Sequence, residues 1–160
     1  MSALINRIAN LEILIPYGLE RILSLLDIVE TDTVPTAAIP IGASSPRILI
    51  NPDFVHKYCT EDNCLGALIL HELHHLLLGH TRVFPRISKL HNIAFDAIIN
   101  AMICRQEPKY KLLFQNYYPE STFPECILRP PNCFPKPYID QSNLSVDIQK
   151  IITEWDLEYL

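Results

Sequence analysis

Between Leu68 and Leu78 the chain reads Leu-Ile-Leu-His-Glu-Leu-His-His-Leu-Leu-Leu, with no helix breaker before Gly79. Such a run is a largely buried helix. Three histidines and a glutamate inside it are costly unless they are paired or bind a metal, because an unsatisfied polar group loses its hydration on burial. At about 100° per residue, positions four apart lie on nearly the same helix face. His71 and His75 can therefore present two imidazole nitrogens to one ion. Two neutral imidazoles suit Zn²⁺, whose catalytic sites keep three protein ligands and one water, and Glu72 stands where it can take that water's proton. The chemistry implied is hydrolysis of an amide bond. The competing reading is a cluster of core histidines satisfied by hydrogen bonds.

A third ligand has two candidates. Asn92, Asp96 and Asn100 fall four apart in an otherwise apolar segment from about Ile87 to Cys104, so a helix aligns them in one stripe. A metal on a neighbouring helix would satisfy Asp96 there; a salt bridge to Arg82 or Arg86 would do the same. The alternative is His80, five residues beyond His75. A continued helix turns it about 140° away, so it can ligate only if Gly79 redirects the backbone. Proteases with a third histidine place the glycine three and the histidine six residues beyond the second ligand. The different spacing here favours an orienting role for His80. His74 points elsewhere on the helix, and His56 and His91 have no supporting spacing.

The chain has 160 residues, 49% of them hydrophobic, enough for one domain with a sizeable core. Its net charge of −5 and lack of a basic block exclude nucleic acid as an expected partner. No apolar run reaches the roughly 18 residues of a membrane span, and Asn6, Arg7, Asn10 and Glu12 interrupt any signal-like stretch. A soluble, cytoplasmic protein is expected. Five cysteines without a C-x-x-C pair read as free thiols.

Two N-terminal helices are predicted, from Ser2 to Ile15 before Pro16 and from Tyr17 to Val29, as a helical cover over residues 1–30. Apolar runs either side of Gly42-Ala43-Ser44-Ser45-Pro46 predict a β-hairpin. Pro40 puts its strand at an edge, where an extended peptide can add through main-chain hydrogen bonds. Thr60 or Asp62 is the expected N-cap of the histidine helix and Gly79 its C-terminal stop. Seven prolines beyond Arg105 predict an extended segment wrapped over the domain, closed by a helix from Val146 to Leu160. A tyrosine from that segment could donate to an oxyanion, but spacing selects none.

The set His71-Glu72-x-x-His75-x-x-x-Gly79-His80, Arg82, then Asn92-x-Ala94-x-Asp96-x-x-x-Asn100, resembles the metallopeptidase-like domain found N-terminal to von Willebrand A-like domains in bacterial proteins. The resemblance covers residues 34–104, including Ile50-Asn51-Pro52. It implies a zincin-like core with zinc on His71, His75 and Asp96 and Glu72 as general base. No von Willebrand A-like segment follows in this sequence. The expectation is therefore a single α+β domain over 1–160: helical cover, zincin core, and a Pro-rich segment of 105–160. Its expected activity is zinc-dependent hydrolysis of a peptide or protein substrate. The alternative is a non-catalytic zinc-binding scaffold or regulator that keeps the site.

Overall fold

A computed structural model of the chain describes residues 2–12, 18–40, 45–80 and 88–131. Over these residues the fold is α+β, with six α-helices and one three-stranded sheet. All of these elements fall within a compact unit, Met1–Pro130. The expected helix at 146–160, Cys133, and the stretch with Arg82 and Arg86 lie outside the described residues.

Helix α1 (Ala3–Ala9) starts on Ser2, whose hydroxyl accepts from the Ile5 N–H at 3.1 Å. It ends at Asn10, short of the expected Ile15. Helix α2 is only Glu20–Leu23, and the strand β1 follows at Asp27–Glu30. The long helix expected to Val29 is thus replaced by a short one and a strand. The apolar spacing of Leu19, Leu23 and Leu26 serves a single turn equally well, and all three are buried. Ile28 and Val29, β-branched, then pair with the sheet.

Strands β2 (Ala37–Ala38) and β3 (Arg47–Ile50) complete a sheet of order β1-β3-β2. β1 runs parallel to β3, with Asp27 opposite Arg47 and Glu30 opposite Ile50. β2 runs antiparallel, with Ala37 opposite Ile50, as the hairpin pattern predicts. It is an edge strand of two residues; Pro40 follows and cannot donate to a ladder. Ile48 and Ile50 are wholly buried.

Asn51 caps α3 (Pro52–Tyr58), accepting from Asp53 and Phe54 N–H groups at 2.9 and 3.3 Å. Its amide also donates to the Val34 carbonyl at 2.8 Å, tying the β2 approach to the end of β3. Arg7 bridges the joint between α3 and α4, donating to the Cys59 and Thr60 carbonyls and pairing with Asp62 at 2.8 Å.

Helix α4 (Asp62–Leu77) carries the histidines. Its N-cap is Glu61, without a side-chain cap bond, rather than Thr60 or Asp62. Every residue from Cys64 to His74 is buried. Gly79 ends the helix in the left-handed region, at φ 63°, where other residues are strained. Helix α5 (Lys89–Gln106) crosses α4 and opens on a capping box. The Ser88 hydroxyl takes the His91 N–H, and the His91 ring takes the Ser88 N–H. A 3₁₀ turn (Pro108–Tyr110), α6 (Lys111–Tyr117) and a second 3₁₀ turn (Glu125–Leu128) pack Tyr110, Leu113, Phe114 and Leu128 onto α4 and α5. The proline-rich stretch is thus short-helical rather than extended as far as it is described. Cys59, Cys64 and Cys104 are buried free thiols, and Cys126 is free and half-buried. Among the described residues no helix is long and apolar enough to cross a membrane.

Candidate metal centre

One helical turn separates His71 from His75, and the fold brings Asp96 of α5 against both. Asp96 Oδ1 lies 3.1 Å from His75 Nε2 and 3.6 Å from His71 Nε2, and the two Nε2 atoms are 3.1 Å apart. The three ligand atoms lie within 4.8 Å of one another, close enough to hold one metal ion.

The outer nitrogens of both rings are already engaged. His71 Nδ1 is 2.8 Å from Asn100 Oδ1, an acceptor, so the ring carries its proton there and leaves Nε2 a lone pair. Asn100 is itself held, donating to the Leu128 carbonyl at 2.8 Å. His75 Nδ1 is 3.2 Å from His80 Nδ1, and the His80 ring stacks on Phe95 with centroids 4.0 Å apart. With the proton on His75 Nδ1 and His80 accepting it, His75 Nε2 also faces Asp96 as a donor atom. The Asn100 contact thus sets the tautomer of His71 that metal ligation needs, and the His80 contact is compatible with the same tautomer of His75. The donor set and its supports fit a metal.

His80, the alternative third ligand, contacts the side of His75 opposite to Asp96. It is placed to orient His75 and not to join the cluster. His74 is a core residue, its Nδ1 donating to the Leu70 carbonyl at 2.7 Å within the helix.

The electrostatics follow from burial and close charges. Burial alone would lower the pKa of His71. Asp96, the Glu72 charge and the Asn100 hydrogen bond outweigh it, and the net shift is upward. Burial would raise the pKa of Asp96, but the two histidines hold its carboxyl well below the usual carboxylate range. Glu72 goes the other way. Burial raises its pKa, only partly offset by His71, His75 and a backbone hydrogen bond from Ile39. A carboxylate that is not a ligand, sits beside two, and has a raised pKa is suited to accept and return a proton.

That Ile39 bond joins the site to the sheet. Asn51 N–H donates to Thr36 O, so the backbones of Thr36 and Ala38 face β3 while those of Ala37 and Ile39 face away. The outward side of β2 is the side that meets Glu72. Ala37, Ala38 and Ile39 line a cavity of about 570 Å³ together with Glu72, His71, His75 and Asp96.

Tyr118, which spacing did not single out, lines the same cavity. Burial, then the charges of Asp96 and Glu72 and its neighbour Tyr117, push its phenol far up, so it stays an O–H donor at any ordinary pH. Its nearness to both carboxylates arises from the packing of α6 and leaves no periodic trace in the sequence.

No family model, no curated protein and no solved structure matches this chain.

Proposed function

We propose that the chain is a zinc-dependent peptidase with a zincin-like core. The observation that carries this reading is the pairing of a three-ligand cluster with an open cavity and a second, non-ligating carboxylate, Glu72. A structural zinc site is closed by four protein ligands; a catalytic one keeps three and leaves a position for chemistry. Two histidines and a carboxylate are a known catalytic zinc set, and the edge strand beside the metal helix supports the zincin-like arrangement. When bound by His71, His75 and Asp96, zinc supplies a Lewis acid that polarises a carbonyl and acidifies water toward a pKa of about 7.

The chain's own residues do the rest. Glu72 accepts the proton of the attacking water and returns it to the departing amine. The Ile39 N–H holds the Glu72 carboxylate on the cavity side of the helix. The outward N–H and C=O of Ala37 hold an extended peptide by main-chain hydrogen bonds. Tyr118 donates its O–H to the carbonyl oxygen as negative charge develops there.

Glu72→Gln is expected to retain about one zinc per chain and to lose hydrolysis of a peptide library by a factor of about 10² to 10⁴. Undiminished turnover in that variant defeats the mechanism. Elemental analysis of the wild type, Asp96→Ala and His80→Ala tests the ligand set: zinc is lost with Asp96 and kept, more weakly, without His80.

A further inference from the structure

The cavity has two ends of opposite character. At one lie the histidines, Asp96 and Glu72. The other is walled by Leu68, one turn ahead of His71 on α4, by Leu113, Phe114 and Tyr117 of α6, and by Phe54 of α3. Phe114 joins the two ends, its ring centroid 6.1 Å from that of His71.

This apolar wall is braced. Phe54, Tyr58 and Tyr117 pack ring against ring at 5.0, 5.0 and 5.3 Å, two of the three contacts edge-on, and Tyr117 also meets Tyr118 at 4.8 Å. Edge-on contacts of this kind are favourable beyond the area they bury. Such a wall does not collapse inward, so the space beside it stays available. The small residues Ala37 and Ala38 also line the cavity and leave room at the strand edge. Among the described lining residues there is no lysine or arginine, and the two carboxylates are committed to the histidines and to Ile39.

Resting on the peptidase reading above, we propose that this end is a specificity pocket. It selects a bulky apolar residue, leucine or phenylalanine, next to the bond cleaved. Burying one such side chain is worth about tenfold or more in affinity over alanine.

The test separates binding from cleavage. Zinc-loaded Glu72→Gln is titrated with blocked peptides Ac-Gly-Gly-Gly-Xaa-Gly-Gly-NH₂, with Xaa as Leu, Phe, Ala, Glu or Lys. Leu and Phe are expected to bind at least about tenfold tighter than Ala, with Glu weakest. Tyr117→Ala should cut the Phe-over-Ala ratio severalfold, and Tyr117→Phe should preserve it. Equal affinities, a preference for Glu or Lys, or no saturable binding overturns the pocket. If Leu and Phe peptides bind selectively but the wild-type zinc protein never cleaves them, the pocket stands and the peptidase reading falls. Cleavage without side-chain preference gives the reverse.

Discussion

Asn100 holds two elements at once. Its oxygen fixes the proton on His71, and its amide holds the Leu128 carbonyl at the end of the chain's last described turn. It is almost wholly buried, so neither bond can be replaced by water. Asn100→Leu removes both and leaves His71 free to take the wrong tautomer; zinc affinity is expected to fall about 10- to 100-fold. Asn100→Asp keeps an acceptor for His71 and loses only the Leu128 bond, so its affinity should lie nearer the wild type. Competition with a coloured zinc chelator measures both, and equal loss in the two variants would refute the tautomer role. His71, Glu72 and His75 are legible in the sequence because helical spacing alone puts them side by side. Asp96 is legible because a polar stripe on an apolar helix must meet something. The roles of Asn100 and Tyr118 are not, since each depends on a contact between distant parts of the chain.

At the scale of elements, Asn51 is the joint on which the sheet and the first helix after it depend. It caps α3 and tethers Val34, which leads into the edge strand. Asn51→Ala is expected to cost about 1 to 2 kcal/mol in urea unfolding while zinc content in the folded protein stays near the wild-type value. A larger drop in zinc than in stability would mean that the Val34 tether shapes the metal site itself. The hairpin and the two long helices are readable from turn residues and periodicity. β1 is not: four leucines and isoleucines at helical spacing precede it, and only the parallel partner β3, separated by a crossover, decides that Ile28 and Val29 become strand. The interactions at the start of α4 are likewise invisible locally, because Arg7, from another helix, donates there to the Cys59 and Thr60 carbonyls and to Asp62.

For the whole molecule, the metal-free and metal-bound states are expected to respond to pH in opposite ways. The folded-state pKa of His71 is raised. Its contribution to stability is therefore complete below the unfolded value of about 6.5 and is lost as pH rises through the raised one. Asp96 is depressed, so its contribution is present above about 3.9 and is lost only as pH falls through the lower value. With chelator present, the His71–Asp96 pair contributes most between about pH 4 and 6.5. Zinc requires unprotonated imidazoles, so the stabilisation that it adds grows with pH instead. Thermal melts with chelator and with zinc, at about pH 5.5 and about pH 8, should show the zinc-induced rise to be larger at the higher pH. A rise that shrinks with pH would exclude histidine ligation.

The two rings at the cluster are held from behind, one by Asn100 and the other by His80, by bonds that owe nothing to an ion. In kinetic terms, were zinc the ion bound, its loading is expected to be a single encounter with a finished site. Its observed rate should rise in proportion to zinc concentration without reaching a plateau, as it would if the chain had to rearrange first.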